Sequence, residues 1–105
     1  MKEYTVYILK CSDNTYYTGI TSSIDIRLAE HSAGKYGGYT KSRRPVCCVF
    51  TESYSDVYEA IAMEKRIKGW SRIKKEALIR GDYSNLSLYA KRPASRRRLQ
   101  RRTSA

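Results

Sequence analysis

Two β-rich segments separated by a short turn occupy the first 21 residues and constrain the fold more than any other feature. Residues 4 to 11 (YTVYILKC) and 15 to 21 (TYYTGIT) are rich in β-branched and aromatic residues, which favour strands. The three residues between them, SDN, are typical of turns. The pattern predicts a hairpin over residues 4 to 21. Gly19 in its second strand indicates a bulge or a close approach of another group to the backbone.

The hairpin is followed by signals for a first helix. Ser22 and Asp25 stand three residues apart, as in a capping box, which predicts a helix that begins at about Ser23. Gly34 is a typical residue for the end of such a helix.

The rest of the body predicts one more strand and two more helices. A loop rich in Gly, Tyr, Lys and Arg spans residues 35 to 44, and a strand (VCCVFTE) follows Pro45. Asp56 is expected in the first turn of a second helix that ends at Gly69, and Ser71 is expected to cap a third. The expected apolar positions of the third helix are Ile73, Ala77 and Leu78. The order β-β-α-β-α-α predicts an α/β (α+β) fold in which helices cover a small sheet.

Positive charge is concentrated near the C-terminal end. The chain has 21 Lys and Arg against 10 Asp and Glu, a net charge of +11. Residues 91 to 105 hold seven basic residues and no acid, which leaves 14 basic and 10 acidic residues, or +4, in residues 1 to 90. We therefore expect a domain over residues 1–83 and a disordered basic tail over residues 84–105, because such a segment buries too little apolar surface to order itself.

A tail of this kind binds nucleic acid through phosphate contacts, whereas the alternative is a solubilising terminus without a partner. The tail residues expected to bind nucleic acid are Arg92, Arg96, Arg97, Arg98, Arg101 and Arg102.

The cysteines and the apolar runs bear on the cellular compartment. Three cysteines, two of them adjacent, give neither a disulfide framework nor a metal knuckle, so we expect reduced thiols in a cytoplasmic protein. No apolar run approaches the roughly 20 residues of a membrane span, and the first residues do not resemble a secretory signal. We expect no membrane association.

Four polar residues stand out as candidates for chemistry. Tyr7 and Tyr17 lie at similar distances from the hairpin turn, so their side chains could meet across the two strands. They are either packing residues with a wet hydroxyl or a proton acceptor and an orienting donor beside a phosphate. Arg27 and His31 share a helix face by their spacing. They are either a surface arginine and a partly packed histidine or a phosphate fork and a proton shuttle.

Glu64 is the fifth candidate. It falls at the border of the apolar stripe of the second helix, where a carboxylate needs a partner. That partner is either Arg27 or Lys68 in an ion pair, or a hard divalent cation. The sequence contains no P-loop, HExxH, Cys/His quartet or GxSxG motif. Cations, phenols and one carboxylate remain, which suits phosphodiester chemistry with a bound divalent ion.

The motifs at these positions resemble those of a known family. Val6-Tyr7 in the first strand and Tyr17-Thr18-Gly19 in the second resemble the paired motifs of the GIY-YIG endonuclease superfamily. The segment EKRIKGW is similar to a signature of small, single-domain bacterial members. Further family positions are matched, at similar separations, by Arg27, His31 and Glu64. The resemblance covers roughly residues 4 to 81 and implies a three-stranded antiparallel sheet flanked by helices, with metal-dependent cleavage of DNA phosphodiester bonds.

The resemblance also implies a role for each candidate. Tyr7 or Tyr17 would be the general base that activates water, and the other would orient the water or the phosphate. Arg27 would clamp the scissile phosphate. His31 would assist the nucleophile or the phosphate, and Glu64 would hold one divalent ion, Mg²⁺ or Mn²⁺. Further nucleic-acid contacts in the body are expected from Lys65 and Lys68.

Two functional hypotheses follow. The first is a divalent-metal-dependent endonuclease or nickase that acts on DNA and selects structure rather than sequence, since no recognition helix is evident. The second is a non-catalytic nucleic-acid-binding module that retains the fold. It is favoured by Glu76, which stands at the spacing where many relatives have an active-site Asn. RNA remains open as a partner, and a protein partner could supply further DNA contacts.

Overall fold

The computed structural model describes residues 2–86 of the chain. The order of elements is β-β-α-β-α-α, as predicted. The elements are β1 (Tyr4–Lys10), β2 (Tyr16–Thr21), α1 (Ile24–Ala33), β3 (Cys47–Tyr54), α2 (Val57–Lys68) and α3 (Arg72–Ile79). Short 3₁₀ turns cover Lys41–Arg43 and Tyr83–Asn85. The tail arginines predicted to bind nucleic acid, from Arg92 to Arg102, lie outside the described residues.

The centre of the fold is a three-stranded antiparallel sheet with the strand order β2-β1-β3. β1 is paired along both of its edges and buried on both faces, which explains why its sequence is a nearly continuous apolar run. Its residues without exposed surface are Val6, Tyr7, Ile8 and Leu9. α2 lies against all three strands and buries Ala60 and Ile67 completely.

The register of the hairpin decides which side chains share a face of the sheet. Tyr7 of β1 lies opposite Gly19 of β2, and Leu9 lies opposite Tyr17. Because successive side chains of a strand point to opposite faces, Tyr7 and Tyr17 are diagonal neighbours on one face.

The start of α1 differs from the predicted capping box. The residue before the helix is Ser23 rather than Ser22, and its side chain makes no capping hydrogen bond. Instead, the Ser23 backbone N–H donates to Thr21 Oγ1 at 3.0 Å, and the helix begins at Ile24. α3 begins as expected, with Ser71 as its cap, whereas Asp56 caps α2 from the position before the helix instead of lying in its first turn. The side chains of Asp56 and Ser71 accept hydrogen bonds from backbone N–H groups of α2 and α3.

Residues up to Gly69 form one compact unit, and Trp70 begins a second. In α3 of the second unit the prediction for Ile73 was wrong, because this side chain is 60% exposed. Lys74 is buried instead, with its ammonium group 3.7 Å from the centre of the Trp70 ring. A lysine can bury its aliphatic stem when its charge meets an aromatic face, which apolar patterning does not register. Among residues 2–86, no helix is long and apolar enough to cross a bilayer.

Candidate active site

Tyr7 and Tyr17 meet across the hairpin, as their spacing predicted. Their ring centroids lie 6.4 Å apart with an angle of 44° between the ring planes. Tyr7 has no exposed surface, whereas Tyr17 is half-buried. The two phenols therefore differ in access to solvent although they share one face of the sheet.

Gly19 leaves the space that the Tyr7 ring occupies. A Cβ atom built on Gly19 would lie 2.5 Å from Cζ of Tyr7 and would also collide with its hydroxyl group. The ring of Tyr7 lies against the opposite strand at the one position without a side chain. This is the close backbone approach that the glycine indicated.

His31 lies in the last turn of α1 and contacts the two phenols. Its ring nitrogen Nε2 lies 3.0 Å from the Tyr7 hydroxyl, and Nδ1 lies 2.7 Å from Oγ1 of Thr40. The Tyr17 ring packs edge-on against the imidazole, with 5.4 Å between the ring centroids. The imidazole has no exposed surface and hydrogen bonds at both nitrogens. His31 is therefore a fully buried part of the site, not a partly packed surface residue.

Arg27 lies one turn before His31 on the same helix face. Its guanidinium group lies 4.4 Å from the centre of the Tyr36 ring. It also forms an ion pair with Glu30 at 3.3 Å and a long hydrogen bond of 3.5 Å to the carbonyl of Ile20. Arg27 is partly exposed, so its guanidinium group acts on the buried phenol of Tyr7 and is also open to solvent. Together, these side chains form the central cluster, which consists of Tyr7, Tyr17, Arg27 and His31.

The electrostatics of the central cluster keep its members neutral apart from the arginine. Burial raises the pKa of Tyr7, while the nearby Arg27 guanidinium partly offsets this. Burial, with Tyr7 and Tyr36 nearby, raises the pKa of Tyr17 to about 12. Burial and the positive charge of Arg27 lower the pKa of His31. At neutral pH both phenols therefore hold their protons and the imidazole is uncharged.

One wall of the site comes from the loop between α1 and β3, to which the sequence interpretation assigned no functional residue. Tyr36 packs on His31 with 4.6 Å between the ring centroids. Tyr39 stacks on Tyr17 with 6.1 Å between the ring centroids and an angle of 22° between the ring planes. Thr40 adds its hydrogen bond to His31. The only signal for this wall was the unusual Gly, Tyr and Lys/Arg composition of residues 35–44.

The same loop is fastened to the hairpin turn. Arg43 forms an ion pair with Asp13 at 3.0 Å, and its backbone carbonyl accepts a hydrogen bond from the Ser12 N–H at 2.9 Å. The Arg43 guanidinium also lies 3.8 Å from the centre of the Tyr39 ring. These contacts hold the loop beside Tyr17 and place a further cation at the edge of the site.

Glu64 of α2 is paired with Lys68, one of the two partners considered for an ion pair. The carboxylate oxygen lies 2.7 Å from the ammonium nitrogen, and the side chain of Glu64 is only 12% exposed whereas that of Lys68 is 53% exposed. Among residues 2–86, no hydrogen bond or ion pair joins Glu64 to the central cluster. The neighbouring Lys65 is exposed.

Glu64 alone could hold a divalent ion only if other oxygen ligands came from outside the protein. Within the described part of the chain there is no group of three or more His, Cys, Asp or Glu residues that could hold a metal. A single carboxylate suits Mg²⁺ or Mn²⁺ when waters and substrate phosphate oxygens complete the coordination, which is the usual arrangement for Mg²⁺. Glu64 must leave Lys68 to take that role.

Comparison with known proteins decides the family. A family model described as the GIY-YIG catalytic domain matches residues 3–77, which include the whole central cluster and Glu64. The chain belongs to the GIY-YIG family. The resemblance of the hairpin motifs is thereby confirmed.

Several UPF0213 proteins match most of the chain. A UPF0213 protein of Staphylococcus haemolyticus is 47% identical over 79 residues, which cover 75% of this chain and 96% of the relative. A UPF0213 protein of Halobacterium salinarum is 51% identical over 73 residues, covering 70% and 95%. The NMR structure of a UPF0213 protein from Bacillus halodurans matches with a TM-score of 0.51 at 40% identity, covering 79% of this chain and 92% of that one. These matches confirm the three-stranded antiparallel sheet with three helices.

Glu76, which the sequence predicts to stand where many relatives have an asparagine, lies in the second unit. Its carboxylate forms an ion pair with Arg72 at 3.0 Å, one turn earlier in α3. An amide at this position would be neutral, whereas this side chain carries a charge that Arg72 balances.

Proposed function

We propose that the protein is a divalent-metal-dependent endonuclease or nickase that hydrolyses DNA phosphodiester bonds. The observation that carries the proposal is the convergence of Tyr7, Tyr17, Arg27 and His31 on one face of the sheet in a protein of the GIY-YIG family. Packing alone does not require a buried phenol, a buried imidazole and an arginine within contact distance of each other. Phosphoryl transfer requires a base, a cation for the phosphate and orienting donors.

Tyr7 is the better candidate for the general base of the two tyrosines. Its hydroxyl faces the uncharged imidazole of His31, which can accept the phenol proton as Tyr7 takes a proton from water. Arg27 stabilises the phenolate form of Tyr7. Because Tyr7 has no exposed surface, this role requires the side chains packed over it to move when substrate binds. Tyr17, which keeps exposed surface, would contact the water or the phosphate.

Arg27 is placed to bind the scissile phosphate. Its guanidinium reaches the surface, and its contacts to Glu30 and to the Ile20 carbonyl are long. A phosphate can therefore replace them with shorter, charge-assisted bonds. Because Arg27 also lies beside the Tyr7 hydroxyl, the bound phosphate would be held next to the base.

Glu64 would hold the metal, for which we propose Mg²⁺ or Mn²⁺. When bound, the ion would supply positive charge for the leaving oxygen of the phosphodiester. The protein's contribution is to hold a mostly buried carboxylate on a helix that packs against the sheet. Lys68 keeps that carboxylate paired in the absence of the ion and would turn toward the nucleic acid when released.

Selection of DNA structure rather than sequence is part of the proposal. The basic groups near the site are suited to phosphate contacts, which carry no sequence information. Those of the body include Arg43, Lys65 and Lys68. The tail adds seven more basic residues, and a partner protein could add further DNA contacts. Three free cysteines agree with the cytoplasm as the location of this activity, and RNA is the alternative polyanion.

A second candidate function is a nucleic-acid-binding module without catalysis. Two observations favour it: Glu64 is occupied by Lys68, and Glu76 is held by Arg72. Such a module would bind DNA in a salt-dependent manner and would need no divalent ion.

The two candidates are separated by one experiment with matched variants. Branched, nicked and single-stranded DNA are incubated with the wild-type protein, with Glu64→Gln and with Glu59→Gln, an exposed position of the same helix. In Mg²⁺ or Mn²⁺ the wild type and Glu59→Gln cleave at least one substrate, and Glu64→Gln binds it without cleavage. Binding by the wild type without any cleavage would support the non-catalytic module.

A further inference from the structure

Thr40 stands at the far end of a buried chain of three hydroxyl and imidazole groups. Its Oγ1 lies 2.7 Å from Nδ1 of His31, and Nε2 of the same ring lies 3.0 Å from the hydroxyl of Tyr7. Thr40 is 1% exposed, and His31 and Tyr7 have no exposed surface. The Thr40 side chain does not cap the 3₁₀ turn that follows it, so its hydroxyl is used for the imidazole.

The protons of this chain can be arranged in two ways. Neutral imidazole carries one N–H proton, and each hydroxyl carries one. Three protons serve two hydrogen bonds, so one hydroxyl proton is left over. If His31 is protonated at Nδ1, Tyr7 donates to Nε2 and the extra proton belongs to Thr40. If His31 is protonated at Nε2, Thr40 donates to Nδ1 and the extra proton belongs to Tyr7.

The acidity of Tyr7 favours the first arrangement, and the Thr40 oxygen makes it possible by accepting the Nδ1 proton, which would otherwise be a buried donor without an acceptor. A phenol, with an ordinary pKa near 10, is a much stronger acid and hydrogen-bond donor than the aliphatic hydroxyl of threonine. The imidazole nitrogen therefore gains more by accepting from Tyr7. The neighbouring guanidinium of Arg27 can only donate, so it offers no acceptor for the Tyr7 proton. That proton is directed to His31.

We propose that Thr40 is a positioning residue that accepts the Nδ1 proton of neutral His31 and so leaves Nε2 free to accept the phenol proton of Tyr7. The outer hydrogen bond of a histidine commonly fixes which of its nitrogens is available. Thr40 performs this task with a hydroxyl oxygen, and the loop from α1 to β3 brings it there.

The consequence for chemistry rests on the proposed nuclease function. As water loses a proton to Tyr7, the phenol proton of Tyr7 moves to Nε2, and His31 becomes a cation with N–H groups at both nitrogens. Nδ1 donates to Thr40 before and after the transfer, so the hydrogen bond needs no rearrangement. The groups around the imidazole that act on its charge are Tyr7, Tyr17, Tyr36, Arg27 and Glu30.

The tautomer can be measured without any enzymatic assay. His31 is the only histidine of the chain, so the imidazole ¹⁵N signals in a long-range proton–nitrogen correlation spectrum belong to it alone. At pH 8, where the imidazole is neutral, the wild type is expected to show the Nδ1–H form. Thr40→Ser, which keeps the hydroxyl, is expected to show the same form. Thr40→Val, which has nearly the same shape, is expected to lose it in favour of Nε2–H.

An Nε2–H form in the wild type would overturn the proposal, and so would an unchanged Nδ1–H form in a folded Thr40→Val. If Thr40→Val does not fold, the wild-type spectrum and that of Thr40→Ser still decide the tautomer. In a DNA cleavage assay we expect Thr40→Val to lower kcat with KM nearly unchanged and to shift the pH profile, while Thr40→Ser restores both. Absence of cleavage by the wild type would count against the nuclease and would leave the spectroscopic result intact.

Discussion

The hydroxyl of Tyr7 lies 3.0 Å from Nε2 of His31, and neither residue has exposed surface. Tyr7 comes from the central strand and His31 from the last turn of α1, so this one hydrogen bond ties the first helix to the middle of the sheet. It also gives a buried phenol an uncharged proton acceptor. The same contact therefore serves the fold and the chemistry that we propose.

The space beside Gly19 is required by Tyr7. In Gly19→Ala the new Cβ would lie 2.5 Å from Cζ of Tyr7, so the ring must shift from the position in which it contacts His31. We expect a loss of about 1–3 kcal/mol in the free energy of unfolding, as for other overpacked sites. Urea denaturation measures it. Gly37→Ala is the matched control, because nothing lies within 4 Å of its added Cβ, and its effect should stay within about 0.5 kcal/mol. Equal stability of the two variants would contradict the packing described.

Buried His31 makes stability depend on pH in a defined window. Its pKa is lowered from 6.5 in the folded state, so below that pH the unfolded chain binds more protons than the native protein. The stabilisation is complete above pH 6.5 and is lost as the pH falls through the folded-state pKa, with a slope of at most about 1.4 kcal/mol per pH unit. Unfolding free energies measured from pH 7.5 to 5 should show this fall.

The control for the pH dependence is His31→Gln, in which the slope over the same window should disappear. Asp13, whose pKa is lowered from 3.8 by its hydrogen bonds to Thr15 and Arg43, acts only at more acidic pH. A wild-type stability that does not change from pH 7.5 to 5 would contradict the neutral, buried imidazole.

Lys68 should compete with a divalent ion for Glu64. In Lys68→Met the carboxylate loses its ion pair of 2.7 Å, so Mn²⁺ should bind more tightly. Because the Lys68 side of the pair is 53% exposed, we expect the pair to contribute about 0.2–1 kcal/mol, which predicts a Kd lower by roughly 1.4- to 5-fold. Calorimetric titration with Mn²⁺ measures the change. Lys65→Met, at the exposed neighbouring position, serves as the control. If both variants bind Mn²⁺ like the wild type, Glu64 is not the ligand.

The basic tail is expected to supply most of the non-specific DNA affinity. Deleting residues 91–105 removes seven of the 21 Lys and Arg residues. The slope of log Kd against log salt concentration should then fall by up to about 6, since each phosphate contact contributes about 0.9. Fluorescence anisotropy with duplex DNA at several salt concentrations measures the slope. A chain with these 15 residues in scrambled order should behave like the wild type. An unchanged slope after deletion would assign the affinity to the body.

Local sequence signals were sufficient for the hairpin, the element order and the approach of Tyr7 to Tyr17. These signals are the composition of the strands, the turn residues and the alternation of side chains between the two faces of a strand. All of them act between residues that are close in the chain. The family resemblance added Arg27, His31 and Glu64 as a set. The start of α1 was predicted to within one residue, but the predicted Ser22–Asp25 capping box is absent: Ser23 precedes the helix without a side-chain cap, and its N–H donates to Thr21.

The loop wall of the site could not be predicted in the same way. Tyr36, Tyr39 and Thr40 lie in a loop without periodicity, and their contacts to His31 and Tyr17 exist only after α1 and the hairpin have packed together. The choice of Lys68 rather than Arg27 as the partner of Glu64 also depends on the packing of α2. Tertiary contacts decide both, and no local pattern encodes them.

The central claim is tested most directly by single-turnover DNA cleavage in Mg²⁺ or Mn²⁺, comparing the wild type with Tyr7→Phe and Tyr58→Phe. Tyr58 is 78% exposed and lies on α2, so it controls for the loss of any one hydroxyl. We predict that the wild type and Tyr58→Phe cleave at the same rate and that Tyr7→Phe is slower by about 100-fold or more, as expected for the loss of a general base. Cleavage by a folded Tyr7→Phe at the wild-type rate, or no cleavage by the wild type on any DNA structure, would contradict it.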